Sequence, residues 1–210
     1  MKCLFCSIAK QPSNHTKPED EILEETSCFY VKPALGHFVD GYTLIISKRH
    51  RRSLSYCSTS ELSELEQLKQ RVSNRLSSMY QQSLVIFEHG EVCPGVRAGC
   101  CIDHAHLHLI PCDVDPIHIL EQQFRFELVD EFVSLRKCRQ EYKSYIYYEN
   151  ALSPRRVFRV ETGVPSQYLR RLICENLGHP EEWDWAVFPF RERIEKFKKE
   201  YKSFGSVLRS

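Results

Sequence analysis

The stretch Gly99-Cys100-Cys101-Ile102-Asp103-His104-Ala105-His106-Leu107-His108-Leu109-Ile110-Pro111 constrains this chain more than any other. Successive side chains of an extended chain point to opposite faces, so this spacing sets all three imidazoles on one face and Ala105, Leu107 and Leu109 on the other. With nine histidines in 210 residues, three at this spacing arise by chance in about one or two such chains per hundred. The apolar side predicts a core-facing strand. The imidazole side leaves three uses open. It is a polar face satisfied by hydrogen bonds, a metal site built from all three rings, or a nucleophilic site. In the last case a neutral ring nitrogen attacks phosphorus while neighbouring imidazoles donate to the phosphoryl oxygens.

The flanking sequence predicts the frame that holds this strand. Residues 1–27 open on Cys3 and Cys6 and run into a polar loop holding Pro12, Asn14 and Pro18. Residues 28–32 and 42–47 are β-branched and aromatic and predict two strands, the second delivering Lys48-Arg49-His50-Arg51-Arg52. That basic run is a solvated strand end or a phosphate attractor. Ser58 and Glu61 fit a capping box, and Leu62, Leu65, Leu68, Val72, Leu76 and Met79 follow as one apolar stripe, which predicts a helix of about 20 residues over one face of a sheet. Residues 84–87 predict the next strand, running into Glu88-His89-Gly90. Strands joined by short loops point to an antiparallel sheet of the α+β kind.

Beyond Pro111, Asp115-Pro116 opens a short helix and residues 130–143 read as helical. Residues 144–149 and 157–160 predict a hairpin, Pro165-Ser166-Gln167 begins a helix ended by Gly178 and Pro180, and residues 190–202 form a last charged helix. Gln167 with Arg170 and Arg171 is either an anion contact at that helix start or an ordinary cap with solvated arginines. Trp183 and Trp185 read as core.

A net charge of +1 gives no global attraction to nucleic acid or to an anionic membrane. An anionic ligand must therefore be held by local groups. The opening residues lack a secretory apolar core, and no run approaches the ~20 apolar residues of a membrane span, so the expected compartment is cytoplasmic. The ten cysteines then read as thiols or metal ligands before disulfides.

His104-Ala105-His106-Leu107-His108-Leu109-Ile110 resembles the signature of the histidine triad (HIT) superfamily of nucleotide hydrolases and transferases. The resemblance extends upstream in the family's order. Cys3-x-x-Cys6 is similar to the N-terminal zinc knuckle of many members, Gly41 to His50 to their Gly-His-x-Leu-Val-Ile-Pro-Lys-x-His strand, and Glu88-His89-Gly90 and Gly99 to Asn-Glu-Gly and the start of Gly-Gln-Ser. It implies a HIT catalytic domain over residues 1–112 and a C-terminal α/β extension over residues 113–210, packed on the catalytic sheet or on a homodimer partner. It further implies that His106 is the nucleophile of a nucleotidyl-histidine intermediate at the α-phosphorus of a small nucleotide substrate, with His108 donating to a phosphoryl oxygen. Glu88, His89, Gly99, Cys100 and Cys101 fall at its substrate-contacting positions. Cys3, Cys6, His50 and His104 fall at the ligands of its structural Zn2+. Histidine at the third triad place favours hydrolysis over transfer; a transferase or phosphorylase and a non-catalytic nucleotide sensor are the alternatives.

The departures from the family pattern concentrate around the substrate. Cys100-Cys101 replace Gln-Ser, Glu88 an amide, Lys32 the ribose-holding aspartate, Tyr42 a histidine and Ser47 a proline.

Overall fold

Alternating apolar side chains build an eight-stranded antiparallel sheet whose two faces are both covered, as seen in a computed structural model that describes residues 3–96, 98–99, 102–151 and 153–207. The strands are β1 (Glu24–Glu25), β2 (Phe29–Pro33), β3 (Thr43–Ser47), β4 (Leu84–Glu91), β5 (His106–Pro111), β6 (Phe126–Leu128), β7 (Ser144–Asn150) and β8 (Ser153–Val160), in spatial order β1-β2-β3-β5-β4-β7-β8-β6. The protein is thus α+β, with helices packed on an antiparallel sheet. The histidine-bearing strand β5 lies between β3 and β4, its His106 opposite Ile46 and its His108 opposite both Leu44 and Phe87. A central strand cannot slip register without turning every side chain to the wrong face, so these pairings fix where the imidazoles point.

Helix α2 (Thr59–Tyr80) starts at the expected capping box, in which Ser58 Oγ accepts from the Glu61 amide and Glu61 accepts from the Ser58 amide. Its stripe Leu62, Leu65, Leu68, Val72 and Leu76 is buried against Ala105, Leu107 and Leu109. The opposite face carries α1 (Leu4–Lys10), α3 (Ile117–Gln123) and α5 (Tyr168–Asn176), through Phe5, Ile8, Leu120, Leu169 and Ile173. The C-terminal helix α6 (Arg191–Val207) returns to the α2 side, where Phe197 and Tyr201 are buried. The described residues beyond 112 therefore contribute three strands to the same sheet and cover its histidine face with α3 and α5. Among the described residues no helix is long and apolar enough to cross a membrane.

The structure adds one element and changes two. Leu4–Lys10 forms a helix ahead of the expected polar loop, where the sequence assigned no element, with Phe5 and Ile8 as its buried pair. The stretch expected as one helix over 130–143 is a 3-10 turn, Phe132–Lys137, followed by the four-residue α4 (Cys138–Glu141). Its buried residues Phe132 and Leu135 lie three apart, the repeat of a 3-10 turn. The last helix begins near the expected place but runs to Val207.

Candidate functional site

His106 and His108 project from β5 on the face opposite the α2 core, their ring centroids 4.7 Å apart. The Nδ1 of His106 donates to the backbone carbonyl of His104 at 2.6 Å. That bond fixes the tautomer and leaves Nε2 with a free lone pair. Burial pulls the His106 ring down to about 4, so it is neutral near pH 7. The His108 ring lies flat on Phe87, 4.3 Å between centroids, and its Nδ1 sits 2.6 Å from the Tyr42 hydroxyl. Burial holds it well below the usual imidazole range, and the neighbouring histidines and Arg170 push the same way. From the adjacent strand β4, His89 brings a third ring to this face, 5.9 Å from that of His108.

These rings line a cavity of about 310 Å³. Phe5 and Leu44 form apolar wall, and Lys32, Glu19 and Asp20 form a charged corner in which Lys32 Nζ lies 3.8 Å from Asp20. Burial draws the Lys32 ammonium down to about 8 against the pull of Asp20 and Glu19. The cavity suits a small ligand with an apolar part and an anionic part.

His104 turns the other way. Its Nε2 donates to the Ser47 carbonyl at 2.6 Å, and its Nδ1 lies 3.3 Å from Cys3 Sγ, 3.6 Å from Cys6 Sγ and 3.3 Å from His50 Nδ1. Cys6 Sγ is 3.4 Å from His50 Nδ1. The four donor atoms lie within 4.8 Å of one another and could hold a metal ion. A carbonyl that orients the ring from its far nitrogen is the usual outer partner of a metal-bound histidine.

The chain resembles solved histidine triad structures. A HIT family protein from Bacillus anthracis is 21% identical over 52% of this chain and 72% of its own, with a TM-score of 0.44. A HIT-like protein involved in cell-cycle regulation from Bartonella henselae is 16% identical over 65% of this chain and 95% of its own, TM-score 0.45. A hypothetical histidine triad nucleotide-binding protein from Sulfolobus tokodaii is 21% identical over 66% and 90%, TM-score 0.43. No protein-family model and no curated protein matches the chain.

The structure brings His106, His108, His89 and Gly99 together around the cavity, and Cys3, Cys6, His50 and His104 together beside it. Glu88 is placed elsewhere, which corrects its expected substrate contact. It faces the α2 side, where its carboxylate accepts from the Leu54 amide at 2.7 Å and the Tyr145 hydroxyl at 2.6 Å. Cys100 and Cys101 lie outside the described residues. Of the basic run, Lys48 pairs with Glu25 and Arg51 with Glu61, and neither lines the cavity.

Sequence reasoning missed most of what the extension adds. Gln167, Arg170, Trp185 and Arg191 all line the cavity, so the chain completes its own site. Trp185 is part of that wall rather than core. Gln167 and Arg170 were visible as a polar residue and a cation at a helix start. Only their burial, against Gly99 through a 2.7 Å bond from the Gln167 amide, separates them from an ordinary cap.

Proposed function

We propose that this protein is a nucleotide hydrolase of the histidine triad type, acting at the α-phosphorus of a nucleotide conjugate. The observation that carries the reading is the neutral His106 ring on the cavity wall, with Nδ1 committed to the His104 carbonyl and His108 beside it. A ring held in this way is an oriented nucleophile that needs no base to deprotonate it.

The reaction proceeds in two displacements. In the first, His106 Nε2 forms a bond to phosphorus, and the bond from phosphorus to the leaving group breaks with its electron pair. The leaving group departs as an anion, or takes a proton from solvent as it leaves. In the second, water attacks the nucleotidyl-histidine, the phosphorus–nitrogen bond breaks, and the nucleoside monophosphate leaves as water's proton passes to solvent. His108, kept neutral, with the Tyr42 hydroxyl donating to its Nδ1, presents Nε2–H to a non-bridging phosphoryl oxygen. One preorganised donor of this kind lowers the barrier by about 3 kcal/mol.

The Cys3, Cys6, His50, His104 set fits a structural zinc. A tetrahedral ion with bonds of about 2.05 Å to nitrogen and about 2.3 Å to sulfur requires N···N near 3.3 Å and N···S near 3.5 Å. Four of the six donor pairs match, with 3.3 Å between the two histidine nitrogens and 3.3, 3.4 and 3.6 Å between nitrogen and sulfur, and all four atoms lie within 4.8 Å of one another. These four residues would hold the ion with no open position, and its contribution would be to tie α1 to the segment leading into β5.

The reading is tested by turnover of a panel of nucleotide conjugates in ¹⁸O-water by the wild type and by His106→Asn. Label in the released monophosphate and loss of about 10³-fold or more in kcat for the variant are expected. Unlabelled product would mean transfer to another acceptor, and equal turnover by the variant would remove the nucleophile.

A further inference from the structure

Four cationic side chains are buried among the described residues: Lys32, Lys69, Arg170 and Lys198. Three face carboxylates. Lys32 lies 3.8 Å from Asp20, Lys69 2.8 Å from Glu149, and Lys198 2.8 Å from Glu21. Arg170, only 4% exposed, pairs with no carboxylate among the described residues. Its Nε, Nη1 and Nη2 donate to the carbonyls of Trp183, Leu35 and Gly36 at 2.9, 3.4 and 3.0 Å, and its guanidinium lies over the Phe38 and Tyr42 rings. Carbonyls and ring faces orient a guanidinium but do not cancel its charge. A buried charge without a counter-ion is costly to fold, and it is stabilised when an anion arrives.

Arg170 lines the cavity, and two of its neighbours there are also incomplete. His89 and Gln167 are 4% and 7% exposed, and the Nε2 of one and the Oε1 of the other have no hydrogen-bond partner among the described residues. Of the other cations on the wall, Lys32 is matched by Asp20 and Arg191 by Glu19 at 2.9 Å, while Lys17 is exposed to solvent. The buried, uncompensated positive charge therefore sits where α5 meets Tyr42 and Gly99, next to the hydroxyl that contacts His108.

Resting on the hydrolase reading above, we propose that Arg170, with Gln167 and His89, forms an anion subsite for a phosphate on the leaving-group side. The substrate would then be a conjugate whose leaving group is itself phosphorylated. The two guanidinium hydrogens not used by carbonyls, one on each Nη, supply the fork that a phosphate accepts. Arg170 and Gln167 come from the segment beyond residue 112 and His89 from β4 of the same chain.

Two measurements decide it. Calorimetric titration of the full chain with inorganic tripolyphosphate needs no turnover. Wild type is expected to bind, and Arg170→Met to bind at least about 30-fold more weakly, in keeping with loss of a charged, forked contact. Gln167→Leu, which strands no protein partner of Oε1, is expected to bind about tenfold more weakly with an unchanged melting temperature. The second measurement compares kcat/KM for diadenosine triphosphate and for adenosine 5′-phosphoramidate. Their ratio is expected to fall about 30-fold in Arg170→Met and partway in Arg170→Lys. Absent tripolyphosphate binding, equal binding by wild type and Arg170→Met, or an unchanged ratio overturns the subsite. If Arg170→Met does not fold, Gln167→Leu decides: tripolyphosphate binding equal to wild type overturns the proposal. A wild type that binds tripolyphosphate yet hydrolyses neither conjugate would sink the hydrolase reading and leave the anion site standing.

Discussion

The Tyr42 hydroxyl lies 2.6 Å from His108 Nδ1, and the proposed reaction needs it as the donor of that bond. A neutral imidazole carries one N–H, and a hydroxyl donating to Nδ1 forces that hydrogen onto Nε2, on the side where a phosphoryl oxygen would lie. Tyr42→Phe keeps the ring beside Phe38 and under Arg170 but removes this donor. The expected outcome is a fall of about 10- to 100-fold in kcat with KM nearly unchanged, because the interaction grows as charge develops. Folding stability should drop by only about 1 kcal/mol, the net worth of a typical buried hydrogen bond. Steady-state kinetics and a urea melt on the same sample check both parts; a rise in KM with constant kcat would mean that the hydroxyl serves binding alone. Histidine spacing made His106 and His108 legible in the sequence. The Tyr42 contact was not, because it joins residues 66 apart whose pairing depends on the β3–β5 register.

Elements marked by a strong apolar pattern or a clear cap were legible, and α1 was not. Helix α2 announces itself by a capping box and a stripe repeated over six turns, and β3 and β4 by apolar runs bounded by turns. Helix α1, of seven residues, is too short for its period to stand out and too short to be stable on its own. Its two cysteines, Cys3 at the N-cap and Cys6 in the first turn, reach His50 and His104. A metal ion bound by these four residues would hold α1 in place, and with it Phe5, whose ring lies 5.4 Å from that of His106. About one zinc per chain is therefore expected by metal analysis of the purified protein, and chelation should lower the melting temperature and depress turnover together. Metal-free protein with Cys3 and Cys6 freely alkylated in the native state would count against the cluster as a metal site. At the other end of the same fold, Ser58→Ala should cost about 1 kcal/mol in a urea melt by opening the α2 capping box, with turnover unaffected.

At the scale of the whole molecule, the sheet is covered on both faces, and that is why the place of Glu88 was not legible. A strand with one wet face alternates apolar and polar, whereas Leu84 to His89 reads as near-continuous apolar sequence and hides its parity. The parity puts Phe87 and His89 on the histidine face and Ile86 and Glu88 on the α2 face. There burial pushes the Glu88 carboxyl up to about 8, despite bonds from the Leu54 amide and Tyr145 hydroxyl that favour its anion. The sign of the consequence follows from proton counting. An unfolded glutamate titrates near about 4.3, so between that pH and about 8 the folded chain holds a proton that the unfolded chain has released. Unfolding then loses a proton, and stability falls as pH rises through this window. Below it both states are protonated and the contribution is flat. The surface carboxylates act oppositely: Glu66, for example, is held low by Arg155 and Lys69 against its own desolvation, and stability from such groups is lost on acidification. Glu88→Gln keeps a neutral acceptor for Leu54 and removes the titration. The buried histidines, held low in the fold, act with the opposite sign below about pH 6.5, so the difference between the two proteins carries the test. In urea melts at pH 5, 6.5 and 8.5 the stability of Glu88→Gln relative to wild type should rise across the series at up to about 1.4 kcal/mol per pH unit, with the variant the more stable of the two at pH 8.5. Parallel pH slopes for the two proteins would mean that Glu88 is ionised in the folded chain and that its pocket admits water.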